Sequence, residues 1–171
     1  MSLGRDLSVN AGQPDREPSA GLGIRVFRPS DEPAAVALWG ACGLLRPWND
    51  PHKDIARKLL VQPELFLVAV ASGAGAGAGA EPAECLVGTV MAGYDGHRGW
   101  VYYLAVDPSW QGQGVGRRLM QRVEADLLAL GCPKINLMVR SENTAVLDFY
   151  AHLGFSADAS ASLGKRLIPD A

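Results

Sequence analysis

The sequence predicts an α/β domain built on a mixed sheet, and three stretches predict it. Residues 102–120 begin as an apolar, aromatic-rich strand, break at Asp107-Pro108, cross a glycine-rich turn, and fall into helical periodicity through Leu119, Val123, Leu127 and Leu130. Gly131-Cys132-Pro133 then stops that helix and residues 134–139 supply another strand, so two strands flank a helix in the parallel arrangement. Upstream, the apolar runs 65–70 and 85–94 lie either side of a Gly/Ala tract at residues 72–82, which reads as a long flexible hairpin loop.

From the start of the chain, residues 1–23 are rich in Ser, Pro, Gly, Asp and Arg without apolar periodicity and read as a disordered lead, leaving residues 24–171 as a single domain. Ile24-Arg25-Val26-Phe27-Arg28 alternates as a first strand. Pro29-Ser30-Asp31-Glu32 starts a helix with acid in its first turn, and the helix runs through Val36, Leu38 and Trp39 to end near Gly43. In the segment that follows, Trp48 offers a flat apolar face, while Asn49, Asp50 and Asp54 offer acceptors for a cation. Asn49 or Asp50 equally serves to cap the next helix, which contains Ile55 and Leu59.

A chain of 171 residues, 48% hydrophobic and 20% charged, is long enough for one domain with a proper core. Its formal net charge of −2 leaves no electrostatic footprint for nucleic acid or anionic membrane. The expectation is a cytoplasmic protein, since no apolar run reaches membrane-spanning length and the first residues lack a signal core. Cys42, Cys85 and Cys132 are odd in number and widely spaced, which fits small buried or half-buried thiols better than a disulfide framework or a metal site.

The turn after residue 107 carries the chemistry. The first N–H groups of a helix have no partner inside it and sit at the positive end of the macrodipole, so a phosphate there gains hydrogen bonds and Coulomb energy together. Gly112, Gly114 and Gly116 remove Cβ atoms from the approach, and Arg117 and Arg118 add charge. A Walker loop would need Lys then Ser or Thr where Arg117 and Arg118 stand, and a dinucleotide fingerprint would need glycine at Arg117.

What remains is Gln-x-x-Gly-x-Gly, met by Gln111, Gly114 and Gly116, and it closely resembles the acetyl-CoA pyrophosphate loop of the GNAT superfamily of N-acyltransferases. A second motif supports the resemblance: Asn143, Ala145 and Tyr150, followed by Gly154-Phe155, with Asn143 and Tyr150 seven residues apart and so on one helical face. The similarity extends to the bacterial YpeA-like acetyltransferases in residues 44–58 and 93–99.

The resemblance implies a mixed sheet of six to seven strands flanked by about four helices, with strands 4 and 5 parallel and splayed. It implies acetyl-CoA as cosubstrate, held by the backbone of Leu104, Ala105 and Val106, by the loop Gln111, Gly112, Gln113, Gly114, Val115, Gly116 and Arg117, and by Asn143 beside the pantetheine arm. Tyr150 would protonate the departing thiolate, and the Val106 N–H would meet the carbonyl oxygen. The acceptor, a small-molecule or peptide amine, would meet Trp48, Asn49, Asp50, Tyr94 and Asp95, with a C-terminal hairpin from 155 to 168 closing over it.

The base is open. Met138 stands where several relatives carry Glu, and residues 99–106 hold no carboxylate, which leaves Asp95, His97 or Tyr103, or loss of the proton to solvent. His97 recommends itself because histidine as a residue type suits proton abstraction through a water near neutral pH, yet it also reads as a plain turn residue. The two functions in view are an acetyl-CoA-dependent N-acetyltransferase and a non-catalytic acyl-CoA-binding module. Strand edges near the C-terminal hairpin would also allow a homodimer.

Overall fold

The computed structural model describes residues 21–72 and 84–170. Most of the expected lead and of the Gly/Ala tract lies outside these residues. The elements are β1 (Leu22–Val26), α1 (Glu32–Ala41), α2 (Pro51–Leu60), β2 (Phe66–Ser72), β3 (Glu84–Tyr94), β4 (Gly99–Val106), α3 (Val115–Ala129), β5 (Ile135–Leu137) and α4 (Thr144–His152). Single 3₁₀ turns precede α1 and β2 and follow β4.

The strands stand in chain order β1-β2-β3-β4-β5, the first four antiparallel to their neighbours and β5 parallel to β4. Alternation along β2 shows why its sequence is continuously apolar. Leu67, Ala69 and Ala71 enter one core with α3 residues Leu119, Met120, Val123 and Leu127, whereas Phe66, Val68 and Val70 enter another with Ala35, Leu38, Trp39 and Ile55 from α1 and α2. Helices therefore cover both faces of the sheet.

Alternation fails at two bulges, one in β3, where Ala69 pairs with Gly88 but Val70 with Leu86, and one in β4. Val101, Leu104 and Val106 join the α3 face while Tyr103 and Ala105 join the α1/α2 face, which a regular strand cannot do. The register explains it: Met91 pairs with Tyr102 but Thr89 pairs with Ala105, so β4 carries one extra residue at this point. Tyr103 takes up the irregularity with φ of 49°, a left-handed conformation rare outside glycine.

Several expectations are corrected. The sheet among the described residues has five strands, not six to seven. β1 begins at Leu22, inside the stretch assigned to the lead, because Leu22 can still pair with Ala71. The expected C-terminal hairpin does not form among the described residues: after α4 the chain is irregular to Asp170, and Leu163, Leu167 and Ile168 stay 93%, 86% and 64% exposed. Polar tethers hold this tail instead, Lys134 to Asp158 at 2.6 Å and Arg57 to Asp170 at 2.7 Å. The hairpin edges invoked for a homodimer accordingly do not form there. Cys85, expected as a buried or half-buried thiol, is exposed at the outer end of β3, whereas Cys132 is buried.

Candidate active site

β4 outlasts its partner. Pairing with β5 stops at Val101 and Leu137, yet β4 runs on through residues 102–106, and residues 138–140 continue as coil. This opens a slot along the last turn-ward half of β4. Asp107 N–H donates to the Val87 carbonyl at 2.9 Å, so by strand alternation the Val106 N–H points away from β3, toward the slot. Backbone groups left without a neighbouring strand can pair with an extended, amide-bearing ligand as an added strand would.

The strand leads directly into the glycine turn. Asp107 accepts from the Ser109 N–H and hydroxyl, and these bonds hold its carboxyl below the usual carboxylate range. Gly112 and Gly114 have φ of 73° and 77°, and a Cβ on either would meet nothing within 4 Å, so glycine is needed there for conformation rather than space. Gly114 is the N-cap of α3 and offers no side chain to the helix end, which leaves the N–H groups of the first turn free for an anion.

Individual residues of this loop differ in what they present. Arg117 is exposed beside the helix start, but Arg118 turns away and donates to the Leu22 carbonyl at 3.1 Å, so it does not add charge to the loop as its place in the sequence suggests. Val115 sends its side chain into the core and has only its backbone to offer. Gly116 serves packing: a Cβ there would come within 3.2 Å of the Phe149 ring, so its role is the approach of α3 to α4 and not room for phosphate. Gln111 and Gln113 fold back onto the Val106 and Ser109 carbonyls at 3.1 and 2.9 Å.

Tyr150 lies in α4 on the α3 face, 8% exposed, with edge-on rings of Phe149 and Phe155 at 5.1 and 5.5 Å. Burial pushes its phenol up to about 12. Leu104, Val106 and Leu137, which border the slot, pack against the same core. Asn143 is not inside the helix but is its N-cap, exposed, with no capping bond from its side chain, so its amide is available at the start of α4.

The residues expected to meet the acceptor separate into two groups. Asp50 caps α2, accepting from the His52 and Lys53 N–H groups at 2.8 and 3.3 Å, and Asn49 donates to Asp54 at 3.1 Å. Trp48 is 52% exposed next to them. Asp54 also receives the Tyr103 hydroxyl at 2.6 Å, which brings this group to the β4 bulge. Tyr94, Asp95 and His97 are elsewhere. α2 runs along the sheet from Asp54 at Tyr103 to Lys58, which donates to the Ala92 carbonyl at 2.6 Å, and on to Gln62, which bonds both Tyr94 backbone groups.

His97 and Asp95 thus belong to the hairpin at the Gly99 end of β4, with the length of the strand, roughly 23 Å at the usual rise, between them and Val106. Asp95 accepts from the Arg98 and His97 N–H groups at 2.7 and 2.8 Å, and these bonds depress its carboxyl. Turn formation explains both residues, and the structure does not bring either, nor Tyr94, to the slot. Among the described residues no cluster of His, Cys, Asp and Glu is arranged to hold a metal, and no helix is long and apolar enough to cross a membrane.

Sequence reasoning passed over Arg57 and Asp170, whose carboxylate takes two bonds from Arg57 at 3.0 and 2.7 Å, and whose carbonyl accepts the Asp50 N–H at 2.9 Å. Only the spacing of Asp54 and Arg57, one helical turn apart, signalled part of this.

Residues 32–155 match the model of the acetyltransferase (GNAT) family. The chain belongs to that family. An acetyltransferase of Yersinia enterocolitica is 51% identical to this GNAT protein over 147 residues, which span 86% of this chain and 96% of the relative. Among solved structures, Ard1 from Thermoplasma volcanium superimposes with a TM-score of 0.66 at 23% identity, covering 82% of this chain and 86% of the other. AAC(6')-Iy, in complex with the bisubstrate analogue CoA-S-monomethyl-acetylneamine, gives 0.62 at 17% identity over 87% of this chain and all of the other. At these identities the two structures establish the GNAT fold.

Proposed function

We propose that this protein is an N-acetyltransferase moving an acetyl group from acetyl-CoA to a primary amine of a small molecule or protein by direct attack through a ternary complex. The observation that carries the reading is the run 102–106 of β4, left without a partner on its β5 side, leading into the Gly112–Gly114 turn and the uncapped start of α3. An amide-bearing arm followed by a pyrophosphate suits that sequence of sites. The CoA-based bisubstrate analogue in complex with AAC(6')-Iy supports it by analogy of fold.

In this reading, acetyl-CoA supplies the activated acetyl thioester. The backbone of Leu104, Ala105 and Val106 aligns the arm, the first-turn N–H groups of α3 and Arg117 hold the pyrophosphate, and Asn143 meets the arm from α4. The Val106 N–H stabilises negative charge developing on the carbonyl oxygen. Tyr150, kept neutral by burial, donates its proton to the leaving sulfur, whose own proton affinity rises in the same apolar surroundings. Trp48, Asn49 and the start of α2 border the side from which the amine enters.

A thiol-release screen with acetyl-CoA against amino acids, polyamines, aminoglycosides and short peptides tests the proposal. Release above hydrolysis with one amine class supports transfer and names the acceptor. The second reading, an acyl-CoA-binding module, draws on the absence of any carboxylate in β4 and β5. Tight acetyl-CoA binding with no turnover on any amine would favour it.

A further inference from the structure

The strands that border the slot carry no carboxylate, yet Asp54 of α2 bonds the side chain of Tyr103 in β4. Tyr103 sits at the bulge, on the part of β4 that β5 no longer pairs, and packs on the sheet face opposite the one whose core holds Tyr150. Its left-handed backbone is held from three directions. The Trp39 ring stacks on it with centroids 4.1 Å apart, Thr89 Oγ1 donates to its carbonyl at 2.9 Å, and its hydroxyl donates to Asp54 Oδ2 at 2.6 Å. Such conformations persist where surroundings over-determine them, and they gather at functional sites.

The direction of that last bond matters. A tyrosine hydroxyl has one proton, and here Asp54 takes it, so the oxygen presents only lone pairs to anything else that approaches. Asp54 is itself fixed by the Asn49 amide at 3.1 Å and by Arg57 at 2.6 Å, which keeps the carboxylate aimed at Tyr103.

We propose that Tyr103 receives the proton of the attacking amine, and that Asp54 positions it and accepts the hydroxyl proton in the same movement. This rests on the acetyl-transfer reading above. As the C–N bond forms, the N–H bond breaks and its proton passes to Tyr103 Oη, while the Tyr103 proton passes to Asp54 Oδ2. The C–S bond breaks and the sulfur takes the Tyr150 proton. Return of the proton from Asp54 to Tyr150 through solvent restores both groups, and the net reaction is amine plus acetyl thioester giving amide plus thiol. Acid and base then act from opposite faces of one strand, which matches a thiolate leaving on one side and an amine arriving on the other.

The charged and titratable groups facing the pair are Arg57 on α2, Asp170 and Arg166 on the tail, and Cys42 at the end of α1; β3 contributes the uncharged Thr89 and Met91. Arg57 keeps its charge, Asp170 is held ionised by Arg57, and burial pushes the Cys42 thiol up.

The test is the pH profile of kcat/KM for the unaltered chain, Tyr103→Phe and Asp54→Asn, using acetyl-CoA and the primary amine that gives most thiol release in the screen, with acetyl-CoA calorimetry in parallel. Both variants are expected to lose about a hundredfold or more, by the same factor at every pH because the neutral amine is the attacking form in each, and to bind acetyl-CoA with unchanged affinity, whereas Asp54→Glu, which keeps a carboxylate, is expected to regain most of the loss. An Asp54→Glu variant as impaired as Asp54→Asn would show a packing role and overturn the proposal, as would no loss in Tyr103→Phe or Asp54→Asn. Failure of the unaltered chain to turn over any amine would instead refute the transferase reading, and this proposal with it.

Discussion

The Trp39 indole N–H donates to Thr89 Oγ1 at 2.9 Å with both side chains fully buried, and the same hydroxyl donates onward to the Tyr103 carbonyl. One side chain thereby satisfies a helix of the α1/α2 layer and the bulge of β4 together.

Thr89→Val keeps the shape but strands the Trp39 N–H and the Tyr103 carbonyl inside the core. A buried polar group left without a partner costs about 1–3 kcal/mol, so urea unfolding should show a loss in that range at unchanged m-value. A variant as stable as the parent would mean that the two groups find other partners.

Tyr150→Phe removes only an oxygen from a site already walled by Phe149 and Phe155. Steady-state kinetics with an identified acceptor should show kcat down by roughly tenfold to a thousandfold, with acetyl-CoA affinity little changed. Unchanged kcat would remove Tyr150 from the mechanism.

His97→Ala should leave kcat and KM within about twofold, because the hairpin bearing it lies at the far end of β4 from the slot. A large fall in kcat from this exposed position would contradict the placement of the site.

Asp170 anchors the tail to α2 through Arg57, which also depresses its carboxyl below the ordinary value of 3.8. A carboxyl lowered in the folded chain stabilises the clasp fully above its unfolded pKa and loses that contribution as pH falls through the depressed value. An NMR titration should therefore show the Leu167 and Ile168 methyl signals constant down to the ordinary carboxylate range and shifting only below it. A transition at or above that range would mean that the clasp does not form.

Much of the fold is legible because its signals are local. The 99–106 strand, the Asp107-Pro108 break and the periodicity of Leu119, Val123 and Leu127 lie within one short stretch, and each is where the pattern puts it. Asp50 likewise caps α2, as its place before Pro51 allows. The misses are non-local or conformational. No periodicity marks Tyr103 as left-handed, since the bulge arises from the register with β3, which shifts between Thr89 and Met91 across the sheet. Asp170 finds Arg57 across 113 positions of chain. Gly116 has the spacing of a phosphate glycine, and only the Phe149 ring above it reveals the packing role. His97 and Asp95 carry chemically apt side chains, but α2 shows them to be a strand's length from the slot.

The proposed function puts the cosubstrate in the slot along residues 102–106 and at the start of α3, and calorimetry of acetyl-CoA binding to the unaltered chain tests that placement most directly. Binding of one acetyl-CoA per chain, with a negative heat-capacity change from apolar burial, is the result predicted. Absence of any binding at millimolar acetyl-CoA would contradict it and take the proposed transfer chemistry with it.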